Sequence, residues 1–487
     1  MHRLLAFDLG AESGRAILGT FVDGRLTLEV LHRFPNSGVR VGDHLYWDVL
    51  RLWTEIKEGL RLAAGHGPLA SIGVDTWGVD FALLGPKGEL LGNPRHYRDP
   101  HTETIQEAAF AKVSPAEIFK NTGLQFLRFN TLFQLLALAR DQSPLLAAAE
   151  SLLLMPDLFH FWLSGVMGNE ITNASTTQCY HPVKRTWADT LLGRFGLKPT
   201  LFGELVPPGT RLGDLQPALA AETGLGPVPI VAPASHDTAA AVAGTPGQGE
   251  GWCYLSSGTW SLLGVELPWP LISDAVQAAN FTNEAGVGGT TRFLKNIMGL
   301  WLVQECRRAW QKAGHDFSYE ELTLLAEAAA PLRSLVNPDD ASFMLPAHMP
   351  EALRAFCRAT GQPEPQEPGA VVRCALESLA LRYRWVIERI EELTDQPLRT
   401  IHIVGGGSQN RLLNQMTADA TGRVVLAGPV EATAVGNLLT QALGLGLIPS
   451  LAEGRALVAR SFPVERYEPR SPQDWNQAYD RFLRLLS

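Results

Sequence analysis

Apolar and polar positions alternate through the first 34 residues. The run RLLAFDL, a turn over Gly10 to Gly14, the run RAILGTFV, an Asp23-Gly24 turn signal and RLTLEVLHRF predict an antiparallel meander of strands. WDVLRLWTEIKEGLRLAAGHG then places apolar residues at helical spacing before a glycine-rich stop, and LASIGVDTWGVDFALL predicts two strands around Trp77-Gly78. The pattern has become mixed α/β. Mostly helix is expected over 104–165, irregular Gly- and Pro-rich chain over 170–220, and a buried strand, a turn and a short helix over VPIVAPASHDTAAAVAG.

After GTPGQGEG at 244–251 the pattern starts again. GWCYLSSGTWSLLGVEL predicts a strand, a turn over Ser256 to Thr259 and a second strand, as the N-terminus did. Helices are expected at 297–313, 318–330 and 370–394, followed by the strand, glycine turn and helix of RTIHIVGGGSQNRLLNQMTADATG. Two halves of similar plan are the simplest reading, 1–244 and 245–487, with the last helix free to pack back on the first half.

Composition narrows the class. A chain of 487 residues predicts about two to four domains, and 46% hydrophobic with 19% charged residues is the balance of a core-rich globular enzyme. Lys and Arg number 41 against 50 Asp and Glu, a net −9, so no broad positive field exists to gather nucleic acid or anionic lipid. No run of 18 apolar residues occurs, and Asp8 interrupts the N-terminal apolar stretch too early for a secretory signal, so a cytoplasmic enzyme is expected. The five cysteines, odd in number and without CxxC spacing, read as small buried hydrophobes; Cys357 and Cys374 are near enough in sequence to pair, against which a reducing compartment argues.

Three glycine-bearing turns, Gly10 to Arg15, Ser256 to Thr259 and Gly405 to Gly407, can aim backbone N–H groups at an anion. None carries the GK[ST] of a Walker A loop, and Gly405 to Asn410 lacks the last glycine of GxGxxG. Each alone could be a tight connection; two matching hairpins and a third turn together favour phosphate. Asp8 ends the first strand in apolar surroundings, where a carboxylate needs a partner such as Mg²⁺ or its water shell. Arg15 and Thr259 follow their turns, placed to donate to phosphate oxygens. Ser235-His236-Asp237-Thr238 lies where a buried strand meets a helix, so these residues are either N-cap chemistry or a carboxylate, Asp237, placed to accept a hydroxyl proton. Adjacent residues cannot form a Ser-His-Asp triad, and no GxSxG elbow is present. Asp75, Trp77, Gly78 and Asp80, with His96, Tyr97, Arg98 and Asp99, combine polar groups and aromatic faces as a sugar requires, core packing being the other reading of Trp77. Lys295 and Asn296 could add donors, with Gln304 two turns on, whereas Trp301 and Trp310 read as packing residues.

The strings DLGAESGR (8–15), GVDTWGVDF (73–81), YRDPHT (97–102), FNTLFQL (129–135), LMPDLF (154–159), SHDTA (235–239), LSSGTWSLLG (255–264), LKNIMGLW (294–301), HIVGGGSQN (402–410) and AGPVEATAVGN (427–437) resemble those of rhamnulokinases, sugar kinases of the FGGY type in the actin-like ATPase superfamily. The resemblance implies a two-lobed α/β fold of duplicated mixed sheets with a cleft between the lobes, ATP with Mg²⁺, and phosphoryl transfer to the 1-hydroxyl of L-rhamnulose. It also implies ATP contacts at Ala11, Glu12, Ser13, Gly14, Arg15, Thr259, Gln304 and Gly406, and sugar contacts at Gly78, His236, Asp237, Thr238 and Asn296. Asp237 is the implied base. Glu12 departs from the pattern, which carries a small hydroxyl residue there, and a carboxylate beside ATP phosphates would repel them unless it points away or meets a cation. L-Fuculose, L-ribulose or L-xylulose are rival acceptors. A Rossmann oxidoreductase holding NAD near Gly405 and a non-catalytic sugar sensor are rival classes, the sensor being expected to lack Asp237. Monomer and dimer are both compatible with the sequence.

Overall fold

In the computed structural model, which describes residues 1–470 and 472–486, the opening alternation becomes three antiparallel strands, His2–Leu9, Ser13–Val22 and Arg25–Pro35. Leu4, Leu5, Ala6, Phe7 and Leu9 are all fully buried, which is why the first strand reads as an almost continuous apolar run: it lies inside a six-stranded sheet. Ser13–Val22 flanks it antiparallel and Ser71–Thr76 flanks it parallel; Pro229–Ala232 follows in parallel and Thr210–Asp214 closes that edge antiparallel. The helix Val49–Ala64, capped by Asp48 through the Arg51 N–H at 3.1 Å, buries Val49, Leu52, Ile56, Leu60 and Ala63 at helical spacing. Each such leucine withdrawn from water contributes about 1.5–3 kcal/mol. Gly59 sits in that stripe because a Cβ there would lie 2.6 Å from the Phe7 ring.

By contact the chain forms two compact units. The first comprises Met1–Pro246, Glu266–Phe293 and Ala432–Ser461; the second comprises Gly247–Val265, Leu294–Glu431 and the chain from Phe462. Two stretches from beyond residue 245 thus belong to the first unit. The reason is clearest in the helix Ala432–Gly444, whose small and apolar face packs on the helix Asp237–Ala243. A Cβ on Gly436 would lie 1.7 Å from the Ala240 carbonyl oxygen, and one on Gly244 would lie 2.2 Å from that of Ala432. Gln441 of the same helix donates to the Leu5 carbonyl at 3.1 Å and accepts from Ser71 Oγ at 2.7 Å. The last helix, Pro472–Leu483, groups with the second unit. It buries Trp475, Tyr479 and Phe482 within the second unit, and Tyr479 donates to Glu388 of the long helix Pro368–Thr394 at 2.6 Å.

The second unit repeats the plan of the first. Trp252–Ser257 pairs antiparallel with Trp260–Leu267 and parallel with Thr400–Val404, Val424–Ala427 follows in parallel, and Glu465–Tyr467 is an antiparallel edge. The helix expected from residue 297 starts later: Thr291–Met298 is a strand, and helix begins at Trp301. Gly299 makes the break, because a Cβ there would meet Ser261 Oγ at 2.6 Å. Within 104–165 the apolar run Ser151–Leu154 is a strand paired with Phe81–Leu84, and the helix Met349–Ala359 carries no expectation from the sequence. Among the described residues no helix is long and apolar enough to cross a membrane, and all five cysteines are free and buried.

Candidate active site

Strand register builds the first part of the site. Asp8 lies opposite Arg15 on one side and beside Asp75 on the other, so three charged residues form one row across adjacent strands, and Thr76 bridges to His236 one step further. Three parallel strands, His2–Leu9, Ser71–Thr76 and Pro229–Ala232, therefore deliver Asp8, Asp75 and, just beyond the end of the last, His236 and Asp237 to the same carboxyl-terminal edge, the edge where α/β sheets bind ligands. Arg15 Nη2 donates to Asp8 Oδ2 at 2.7 Å. Asp75 is fully buried; burial, then the charge of Asp8, holds it well above the usual carboxylate range, while Asn437 Nδ2 donates to its Oδ2 at 2.6 Å. Its Oδ1 has no hydrogen-bond partner among the described residues.

Asp237 stands at the first position of the helix Asp237–Ala243, with His236 as the N-cap residue and no side-chain cap. Capping chemistry is therefore not what selects the Ser-His-Asp-Thr run. Asp237 Oδ1 accepts from its neighbour's backbone, Thr238 N, at 2.5 Å and from Thr238 Oγ1 at 3.1 Å, while the side chain keeps 31% of its surface exposed. Burial of the remainder, then the negative charge of Asp8, pushes its carboxyl up to about 7, a value suited to a general base. Ser235 is anchored from a distance. Its N–H and Oγ donate to Glu170 Oε2 at 3.0 and 2.7 Å, and the same buried carboxyl group accepts from Thr172 N at 2.8 Å and Oγ1 at 2.5 Å. Thr172 Oγ1 in turn accepts from His236 N at 3.3 Å.

The residues read as a sugar cluster do assemble around Asp80. This buried carboxyl group accepts from Trp47 Nε1 at 2.6 Å, Trp77 Nε1 at 3.0 Å, Tyr97 N at 3.1 Å and Gln134 Nε2 at 2.8 Å. Trp47 stacks on Trp77 and His96 with ring centroids 4.0 Å apart, and burial followed by the Arg98 charge pushes His96 down to about 3, so that ring is neutral. Trp77 is 5% exposed, a packing residue that backs the site. Gly78 must be glycine, since a Cβ would meet Thr176 Oγ1 at 2.9 Å while the next N–H, of Val79, donates to that hydroxyl at 3.0 Å.

The turn Gly10 to Ser13 is closed by Gly10 N on Ser13 O at 3.0 Å and tied to Asn36, which donates to the carbonyls of Glu12 and Gly10 at 2.9 and 2.8 Å. Gly14 passes so near Phe34 that a Cβ would lie 2.3 Å from the ring. In the second unit the Thr259 carbonyl accepts from Gly299 N at 3.2 Å and Trp301 N at 3.1 Å, fixing that turn to the start of the helix Trp301–Lys312. One turn along, Gln304 keeps a buried Oε1 without a partner among the described residues. Gly405 takes φ +83, and a Cβ on Gly407 would lie 2.0 Å from Ser257 Oγ, yet nothing approaches Gly406 within 4 Å. The triplet therefore offers one open backbone position between two crowded ones. Asn296 is partly exposed, whereas its neighbour Lys295 is buried beside the Trp385 ring, 5.6 Å from its centroid, and burial pushes its ammonium down to about 7.

Glu170, Thr172, Thr176, Asn437, Glu284 and Arg292 escaped the sequence reading. The stretch Thr172 to Gln178 did carry a signal: seven residues, mostly small and polar, without Gly or Pro, all of them buried. As for a cation, no group of three or more His, Cys, Asp or Glu side chains among the described residues forms a metal cage. Oxygen donors at Asp8 and Asp75, the latter with its unpartnered Oδ1, fit Mg²⁺, which keeps several waters and takes one or two carboxylates plus phosphates.

Comparison with known proteins agrees with this geometry. Residues 3–244 match the N-terminal domain, and residues 253–445 the C-terminal domain, of the FGGY family of carbohydrate kinases. A rhamnulokinase of Bacteroides thetaiotaomicron is 48% identical over 482 residues, 99% of this chain and 99% of that one, and one of Pectobacterium atrosepticum is 43% identical over 492 residues, covering 100% and 97%. Among solved structures, a ligand-bound xylulose kinase from Lactobacillus acidophilus superposes with a TM-score of 0.83 at 15% identity over 100% and 97% of the two chains. A Plasmodium falciparum glycerol kinase with ADP does so at 0.77 and 15%, over 99% and 98%. Both domains of the family matched in order, together with full-length relatives above 40% identity, establish that the chain belongs to the FGGY family of carbohydrate kinases, two-lobed α/β enzymes of the actin-like ATPase fold.

Proposed function

We propose that this kinase transfers the γ-phosphoryl group of ATP to the 1-hydroxyl of L-rhamnulose, giving L-rhamnulose 1-phosphate and ADP in L-rhamnose catabolism. The observation that carries the chemistry is Asp237, a carboxylate with one oxygen held by Thr238 and its outer face open. The name of the relatives and their end-to-end identity support the choice of sugar. Asp237 accepts the hydroxyl proton as that oxygen attacks the γ-phosphorus; the new O–P bond forms as the bond to the β-phosphate oxygen breaks and ADP leaves. The nucleotide contacts assigned are Ala11 to Arg15 in the first unit and Thr259, Gln304 and Gly406 in the second. Gly78, His236, Thr238 and Asn296 are assigned to the sugar. Mg²⁺, held through Asp8 and Asp75 and their waters, would neutralise phosphate charge. At the Gly10 to Gly14 turn the backbone N–H groups and Arg15 do the binding, and Glu12 contributes its main chain. A cytoplasmic location follows from the need for ATP and from the five unpaired cysteines.

Asp237→Asn should lower sugar-dependent ADP release by about 100-fold or more while leaving ATP binding intact, because only the proton acceptor is removed. Unchanged turnover would end the assignment of Asp237. A panel of L-rhamnulose, L-fuculose, L-ribulose and L-xylulose in a coupled ADP assay should show the highest kcat/KM with L-rhamnulose; preference for another ketose would replace the acceptor and keep the chemistry.

A further inference from the structure

The ring of His236 is held at both ends. Its Nδ1 lies 3.2 Å from Arg292 Nη2 and 3.5 Å from Glu284 Oε2, and its Nε2 lies 3.3 Å from Asp237 Oδ1. A guanidinium nitrogen offers only hydrogens, so the shorter contact at Nδ1 is favourable only if Nδ1 keeps its lone pair. An ionised carboxylate offers only lone pairs, so the contact at the other end is favourable only if Nε2 carries the hydrogen. The Arg292 hydrogen bond, shorter than the approach of Glu284 at the same nitrogen, selects the neutral Nε2–H tautomer, and the Asp237 contact favours the same one. Arg292 is itself immobile: it is fully buried, its Nε donates to the Ala285 carbonyl at 3.0 Å, and Nη2 pairs with Glu284 at 3.0 Å.

We propose that Arg292 is a positioning residue for phosphoryl transfer: it fixes His236 as the Nε2–H tautomer, which turns its hydrogen toward Asp237 Oδ1 and leaves Oδ2 as the atom that takes the sugar hydroxyl proton. The assignment rests on Asp237 being the base. Oδ1 has two hydrogen-bond donors, Thr238 N and Thr238 Oγ1, and the Nε2–H of this tautomer adds a partly positive group 3.3 Å away, all of which favour the ionised carboxylate. With Nδ1 engaged and Nε2 already protonated, His236 has no free lone pair and is excluded as the base. Arg292, Glu284 and Asp237 are the charged groups that face the ring, and burial together with the Arg292 charge keeps it from becoming an imidazolium near neutral pH.

The test uses the full chain labelled with ¹⁵N-histidine. Long-range ¹H–¹⁵N spectra recorded above the Asp237 transition, at about pH 8.5, with the His236 signals assigned by their loss in His236→Gln, should show an unprotonated Nδ1 and a protonated Nε2. A protonated Nδ1, or a doubly protonated ring, overturns the proposal whether or not any variant folds. Arg292→Gln should cut kcat about 10- to 100-fold, the usual size of losing a residue that orients a functional histidine, with little change in sugar KM and with His236 shifting to mixed tautomers. An unchanged kcat in folded Arg292→Gln also overturns it. Full turnover in Asp237→Asn alongside an Nε2–H tautomer would overturn the role of Oδ2 through Asp237 and not through the histidine.

Discussion

Both units lay a parallel strand against one side of a hairpin, and the corresponding ends of those strands carry different chemistry. In the first unit the row reads Arg15, Asp8, Asp75. In the second the row reads Leu262, Ser256 and Val404, and one position on, Ser257 lies opposite Ser261, whose hydroxyl is bonded to Tyr383 Oη at 2.7 Å. The helix that follows the parallel strands begins at Asp237 in the first unit, whereas the helix Arg411–Thr421 in the second is capped by neutral Asn410. One topology thus supplies two sets of positions. Side-chain charge gives one of them the groups that the proposed acid–base role requires, and hydroxyls and glycines give the other the neutral surface that the proposed nucleotide role requires.

Six substitutions probe that difference, beginning with the largest effect. Gly436→Ala would put a methyl group 1.7 Å from the Ala240 carbonyl oxygen, so the first unit should lose about 3 kcal/mol or more as its two helices separate, read as a fall in the denaturation midpoint. A midpoint equal to wild type would mean the helix Ala432–Gly444 is not integral to that unit. In the second unit, Gly407→Ala should cost about 1–3 kcal/mol through the clash with Ser257 Oγ, and adding Ser257→Gly should restore most of it; Gly406→Ala should stay within about 0.5 kcal/mol of wild type yet weaken ATP binding. Equal stability losses at 406 and 407 would contradict the one open position.

The third probe is the charge itself. In the proposed role Asp237 is a base only when ionised, so kcat/KM, measured with both substrates below saturation, should rise as the pH rises through about 7 and fall away below it. Asp8→Asn removes one cause of the raised value, and the acidic limb should move to lower pH relative to that variant's own plateau. Tyr383→Phe, in the neutral row, should leave the limb in place. That same substitution gives the smallest effect, a stability loss of about 1 kcal/mol from the hydrogen bond to Ser261. A limb that Tyr383→Phe moves and Asp8→Asn does not would reverse the comparison.

Much of the site was legible because its positions combine a local turn with an unusual residue. Asp8 interrupts an apolar strand, Asp237 opens a short helix, and Gly405 to Gly407 repeats glycine where one would make a turn. Other positions were not. Glu170 organises Ser235 across 65 residues, Asn437 reaches Asp75 across 362, and Arg292 reaches His236 across 56, and no local periodicity encodes such distances. Trp77 could be read either as a sugar platform or as core packing and is buried, and Lys295, read as a further donor, is buried too, because strand alternation sends neighbouring side chains to opposite faces and the sequence does not say which face of Thr291–Met298 is lined by protein.

By itself the sequence determined a duplicated α/β enzyme with glycine turns at fixed places in both halves and a carboxylate at residue 237, since turn chemistry and periodicity are short-range properties. Tertiary structure alone decided which unit owns the helix Ala432–Gly444, which carboxylates share a row, and which buried groups hold His236 and Ser235 in place. Those outcomes depend on strand register and close helix packing, where a single Cβ or a one-residue slip changes every partner, and such contacts form only when distant segments meet.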